Sequence, residues 1–226
     1  HKSAQKTRLE MQQRVLFESV REQLEADSTN KAQRAVMSAL RGPSPIYVGR
    51  DRAIQSISIS PSGQGALITL RTPSRATPVE IPYWVTASGY TEPQKGRSVV
   101  GDDQPRVEML YVSFPTMTVK KLHLFSNDSL ASYVVVNGWN TTGTNALLSA
   151  FSPDNKQRIT YSLSSEDGAL HNIETLTDTA WVGGPCARCG GWYDGGKRVW
   201  YVSEATGYAH LYTAAAEGSD VHQLTS

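Results

Sequence analysis

Among residues whose types could support chemistry, the most conspicuous are Cys186 and Cys189, a C-x-x-C inside Gly183-Gly-Pro-Cys-Ala-Arg-Cys-Gly-Gly191. Such a pair could be half of a zinc site or a redox dithiol. Structural zinc needs four ligands, and no second C-x-x-C or H-x-x-x-H accompanies this one; the five histidines are scattered. A thioredoxin-like dithiol sits at the start of a helix after a strand, whereas this pair lies among glycines in a loop. The expectation is a local disulfide or two free thiols in a turn. His210 could act as a base, but no nucleophile or orienting acid stands at a recognisable spacing, so a hydrogen bond within its own sheet is the expected role. Trp139, Trp181, Trp192 and Trp200 are expected to pack on sheets rather than form a stacking platform for sugars. Asn127-Asp-Ser129 and Asn140-Thr-Thr142 match the glycosylation acceptor pattern, which is frequent by chance.

The elements that must position these residues divide the chain in two. In residues 1–45, Leu9, Gln13, Leu16, Phe17, Val20 and Leu24 recur at helical spacing, and Ala32, Ala35, Val36, Ala39 and Leu40 form a second stripe. Asp27-Ser28 can break the first helix and cap the second, and Gly42-Pro43 can stop it. The pattern predicts a helical hairpin or a bent long helix that docks somewhere: a brace on its own body, or an arm for a partner or for self-association as a homo-oligomer.

From residue 46 to 226 the helical period vanishes. Short β-branched and aromatic runs alternate with turns: Ile54–Ile59, Ser60-Pro-Ser-Gly63, Ala66–Leu70, a strand at Pro82–Thr86, a loop at Gln94–Gln104, then Met109–Phe114 and Val119–Leu124. Val134–Trp139, Ala146–Phe151, Ser152-Pro-Asp-Asn155, Ile159–Leu163, the Ser165–Gly168 turn and Ala169–Leu176 continue the rhythm. Tyr193-Asp-Gly-Gly196 resembles the two S-P turns and precedes Val199–Val202, Ala209–Thr213 and Val221–Thr225. Recurring short strands with similar turns suggest a β-propeller, whose blades are four-stranded sheets of about 40–45 residues. The expected fold is mainly β, a partial propeller of three to four blades after an N-terminal helical arm, too few blades to close a ring.

With 22 basic and 21 acidic side chains in 226 residues, charge gives no support for nucleic acid as a partner. No stretch approaches the roughly 20 apolar residues of a membrane span. His1-Lys2-Ser3 reads as a processed or trimmed start, so a missing signal peptide does not argue for the cytoplasm.

Trp200-Tyr-Val-Ser-Glu-Ala-Thr-Gly-Tyr-Ala-His-Leu-Tyr212 followed by Gln223-Leu-Thr225 resembles a blade motif of the dipeptidyl peptidase IV family, within the prolyl oligopeptidase group of serine peptidases. Asp178–Pro185, Asp154-Asn-Lys-Gln-Arg158, Ile81–Glu92 and Gly96–Asp102 are similar to segments of bacterial members, so the likeness runs from the Leu40–Pro43 region to Ser226. The resemblance implies an N-terminal propeller that gates and positions peptide substrate. Its implied partner is a C-terminal α/β-hydrolase domain with a Ser-Asp-His triad, cleaving dipeptides, often X-Pro, from peptide N-termini. It also implies a periplasmic or secreted location.

The triad's nucleophile belongs in a G-x-S-x-G elbow. Gly96-Arg-Ser98-Val-Val-Gly101 misses by one residue, and Gly42-Pro-Ser44-Pro-Ile46 fails outright. The paired glutamates that hold a substrate's α-amino group in that family are absent too, and Glu166-Asp167 reads as a solvated turn. No catalytic, cofactor-binding or metal-binding residue is therefore assigned, and the expected function is a non-catalytic propeller portion of such a peptidase. The alternatives are a stand-alone propeller-type binding module assembled through the helical arm, or a secreted protein gripping a ligand with its tryptophans and the Gln94–Gln104 loop.

Overall fold

The computed structural model describes residues 3–40, 45–99, 101–127 and 130–226. They fall into two compact units, His1–Tyr47 and Val48–Ser226.

The first unit is built on one helix, α1 (Ala4–Leu40). Ser3 starts it, its carbonyl accepting the Lys6 N–H at 2.9 Å. The break expected at Asp27-Ser28 does not occur. No glycine or proline interrupts Ala4–Leu40, and Asp, Ser and Thr each cost only about 0.5 kcal/mol relative to alanine inside a helix. Thr29 offsets part of this by donating its hydroxyl to the Glu25 carbonyl at 2.8 Å. Continuity changes the meaning of the two stripes. At 3.6 residues per turn, the Leu9–Leu24 stripe and the Ala32–Val36 stripe point roughly 100° apart, so the continuous helix has no single apolar face. Leu9, Leu16, Phe17, Val20 and Leu24 are all exposed. The Gly42-Pro43 stop and Ser44 lie outside the described residues, as do Asp128 and Ser129 of one glycosylation triplet.

Among the described residues the second unit is fourteen strands in four antiparallel sheets. The first blade has the order β1 (Ala53–Ile59), β2 (Gly65–Thr72), β5 (Arg106–Ser113), β6 (Val119–Leu122). Between its second and third strands is inserted a hairpin of β3 (Glu80–Tyr83) and β4 (Glu92–Lys95). The expected Pro82–Thr86 strand therefore ends at Tyr83, and the expected Gln94–Gln104 loop gives Gln94 and Lys95 to β4. In this hairpin Pro82 stands opposite Pro93. Neither has an N–H, so both outer edges lack a donor at the same level, which protects the exposed hairpin from edge-to-edge pairing.

The second blade is a plain meander of β7 (Tyr133–Trp139), β8 (Asn145–Phe151), β9 (Gln157–Ser164) and β10 (Leu170–Thr177). The third follows with β11 (Gly190–Tyr193), β12 (Arg198–Ser203), β13 (His210–Ala215) and β14 (His222–Gln223). Three four-stranded blades meet the expected partial propeller, and the last strand is shorter than the Val221–Thr225 run suggested.

Strand alternation makes each middle strand two-faced. In β8, Ala146, Leu148 and Ala150 join Leu67, Met109 and Tyr111 of the first blade in one core. Leu147, between them, points the other way into a core with Val199, Tyr201, Tyr212 and Ala214 of the third. Neither face of β8 is left for water, so its apolar run is nearly continuous.

The turns joining first to second strands are stitched from blade to blade. Ser60 donates to the Gly143 carbonyl at 2.6 Å, and Asn140 to that of Gly196 at 3.2 Å. Trp139 and Trp192 repeat one device, each indole N–H donating at 3.0 Å to the preceding blade, at Ser58 and Gly138. Asn140 of the second glycosylation triplet is buried in this seam. Ser152–Asn155, by contrast, joins the second and third strands of its blade and sits at the opposite rim from Ser60–Gly63 and Tyr193–Gly196. The likeness of those turns reflects shared turn chemistry and not an equivalent place in the repeat.

Because Leu147 is fully buried at the boundary between the second and third blades, Leu147→Ala is expected to destabilise the sheet unit by about 2–5 kcal/mol, read as a lower urea midpoint.

Candidate functional site

The rim opposite the stitched turns carries the long connections: the hairpin insertion, the Ser152–Asn155 turn, the 178–189 loop and the 204–209 turn. Sequence reading placed its candidates here, at Cys186 and Cys189. They form a disulfide, as one of the two expected states. The short ring orients main-chain carbonyls toward the neighbouring blades. The Ala187 carbonyl accepts from Arg158 Nη1 at 2.8 Å, and that of Arg188 from Asn137 Nδ2 at 2.9 Å. The Cys189 carbonyl accepts the Val202 N–H at 3.4 Å. The Arg188 guanidinium lies 4.3 Å above the Tyr133 ring, a cation–π contact that holds the loop's outer side.

At the centre of this boundary is Arg158, whose side chain is 3% exposed. Its Nη2 donates to Glu174 Oε2 at 2.5 Å and to the Val202 carbonyl at 2.9 Å. A buried guanidinium is costly unless its charge and donors are met. Here a carboxylate from β10, a carbonyl from β12 and one from the disulfide loop give both terminal nitrogens a partner, whereas Nε is buried without one, as is Asn137 Oδ1. Nearby, burial pushes the Tyr201 hydroxyl up to about 12, with the Glu174 and Tyr212 charges adding to it. Sequence reading had Arg158 only as the end of a D-N-K-x-R turn. The sequence signal was a charged residue inside the apolar Ile159–Leu163 approach, but Glu174 lies 16 residues away and only strand pairing brings it near.

The other singled-out residues serve structure. His210 Nδ1 stands 3.3 Å from Thr225 Oγ1, the expected bond within its own blade. Ser98 accepts from Gln104 Nε2 at 3.2 Å and touches no base. Asp167 accepts the Ala169 N–H at 2.9 Å, and this bond, with a further one from Ser164, holds its carboxyl below the usual range. The Ser152 hydroxyl does the same for Asp154. Trp139, Trp192 and Trp200 pack on the sheets, but Trp181 is 72% exposed. The expectation of sheet packing fails there because Trp181 falls in the connecting loop, where its main-chain N–H donates to Asp178 Oδ1 at 3.1 Å.

Among the described residues no group of three or more His, Cys, Asp or Glu could hold a metal ion, and no helix is long and apolar enough to cross a membrane. The rim offers side chains that hold and orient, without a nucleophile–base pair among the candidates.

No family model and no curated protein matches the sequence. Solved structures do share the fold. Porphyromonas gingivalis dipeptidyl peptidase 4 matches 75% of this chain and 24% of its own, with a TM-score of 0.56 and 16% identity. A Bacteroides ovatus protein assigned as a dipeptidyl aminopeptidase IV matches 75% and 26%, with a TM-score of 0.52 and 16% identity. This chain thus spans about a quarter of the length of either structure, and the likeness is one of fold.

Two outcomes check the boundary. Arg158→Leu leaves Glu174 buried and uncompensated and should cost about 3–5 kcal/mol in urea unfolding, most of it recovered in Arg158→Leu/Glu174→Leu. Opening the disulfide, by reduction or Cys186→Ser/Cys189→Ser, should remove about 2 kcal/mol, seen as a lower melting temperature.

Proposed function

We propose that this chain forms the N-terminal blades of a non-catalytic propeller in a dipeptidyl-peptidase-like serine exopeptidase. Three face-packed four-stranded meanders, matching two bacterial structures of that description across three quarters of the chain, are the observation that carries the reading. The blade motif at Trp200–Tyr212 and Gln223–Thr225 adds to it. In this role the blades form part of the wall that admits and orients peptide. Hydrolysis of dipeptides, X-Pro among them, belongs to an α/β-hydrolase domain of the same protein.

The outer face of the first blade fits a place within a longer ring. Ile54, Ile57 and Ile59 lie in register with Leu70, Ile68 and Ala66 and are exposed. A further blade packed there would bury them as the second blade buries Leu67 and Tyr111. The disulfide favours a periplasmic or secreted location, since such bonds persist in oxidising compartments.

The coding sequence beyond Ser226 tests the reading. A G-x-S-x-G elbow followed by Asp and then His is the expected finding, and a stop codon overturns it in favour of a stand-alone binding module. For the chain by itself, the expected outcome is no turnover of an Ala-Pro chromogenic substrate and no labelling by a fluorophosphonate. Turnover abolished by that reagent would show a serine nucleophile within these residues.

A further inference from the structure

The two blade boundaries treat their rim arginines differently. At the second boundary Arg158 is met by Glu174 and two carbonyls. At the first, alternation along β2 sends Leu67, Thr69 and Arg71 toward the second blade. Arg71 pairs across the sheet with Val107, and Val107 is bridged to Ala131. Val107 and Ala131 therefore stand beside Arg71 at the level where the sister boundary supplies a carboxylate. Among the described residues, no ion pair or hydrogen bond is formed by the Arg71 guanidinium.

Arg71 opens onto a cleft of about 710 Å³ between the base of the hairpin insertion and the Ser152–Asn155 turn. Arg97 lines the same cleft, with Pro78, Pro105, Pro153 and Asn155 among its walls, and no acidic residue among the described residues lines it. Arg97 is fixed through its main chain, its carbonyl accepting the Val79 N–H at 3.1 Å, while its guanidinium has no acceptor among the described residues. The two aspartates of the adjoining loop are already engaged. Asp102 accepts the Val99 N–H at 3.0 Å, and Asp103 accepts the Arg75 N–H at 3.0 Å and pairs with Arg106 at 3.5 Å.

We infer that this cleft binds the acidic side chain of a peptide, its carboxylate held between Arg71 and Arg97. The guanidinium fork matches a planar carboxylate. The volume lies within the range of ligand-sized clefts, and the rigid proline walls suit a peptide chain. A net charge of +1 supplies no long-range field for a polyanion, which favours one local carboxylate over nucleic acid. The inference stands apart from the peptidase reading, because it concerns residues of this chain alone.

Titration calorimetry with the peptide acetyl-Ala-Glu-Pro-Glu-Ala-amide at low ionic strength tests it. The expected result is saturable binding, weakened at least about tenfold in Arg71→Gln/Arg97→Gln and suppressed by about 0.5 M salt. The same peptide with Gln for both Glu should not bind. Arg14→Gln/Arg21→Gln, on α1, should leave binding unchanged. Melting curves establish that the variants are folded, and Arg97→Gln alone, in an exposed loop, serves if Arg71→Gln disturbs β2. No heat with the acidic peptide, equal binding of the Gln peptide, or equal binding by the folded Arg variants overturns the site.

Discussion

A four-stranded antiparallel sheet has two faces, and in this molecule the two inner strands of the middle blade are dry on both. That constraint governs the rest. Because β8 must supply Ala146, Leu148 and Ala150 to one neighbour and Leu147 to the other, its composition cannot alternate between apolar and polar as a half-exposed strand does. The first blade has no described blade on its outer side. Three isoleucines of β1 remain in water beside the buried Ile68 and Leu70.

Face packing sets the separation of the blades, and the rims set their register. One rim does so by repetition. Ser60 to Gly143 and Asn140 to Gly196 are successive copies of one side-chain-to-carbonyl bond, and Gly143 is held to it by its backbone. Its φ is +72°, and a Cβ there would fall 2.4 Å from the Ser62 nitrogen, so only glycine meets both demands. The opposite rim is free of this repeat, and there the chain places its exceptions: the hairpin with proline-blunted edges, the disulfide ring, the buried Arg158–Glu174 pair and the arginine-lined cleft. Propeller-like repeats confine variation to loops of one face in the same manner, and the arginine-lined cleft opens on that face.

The disulfide and Arg158 depend on one another. A guanidinium buried between sheets needs acceptors in fixed places, and the four-residue ring of Cys186–Cys189 presents the Ala187 carbonyl where a longer, open loop would sweep many positions. Glycines at 184, 190 and 191 leave room for that ring beside the strands; a Cβ on Gly184 would overlap Glu204, and one on Gly191 would fall 2.7 Å from the Trp200 indole. The surrounding glycines, read from sequence as signs of a plain loop, are the space that this fit requires.

The order of turns and short β-branched runs was enough to place most of the strands and to suggest a partial propeller of three to four blades, because those depend on residues adjacent in the chain, but it ran one strand on to Thr86 and read the end of β4 as loop. The same local reading misjudged α1 at Asp27-Ser28, where weak helix formers were outweighed by an uninterrupted run of strong ones. It also misplaced Trp181, whose exposure depends on the loop that carries it. Which turns share a rim, that Arg158 meets Glu174 while Arg71 meets no acid among the described residues, and that Cys186 and Cys189 close a ring aimed at a neighbouring blade were decided only in the tertiary structure. These are relations between residues on different strands, and strand pairing and blade packing, not sequence spacing, set the distances between them.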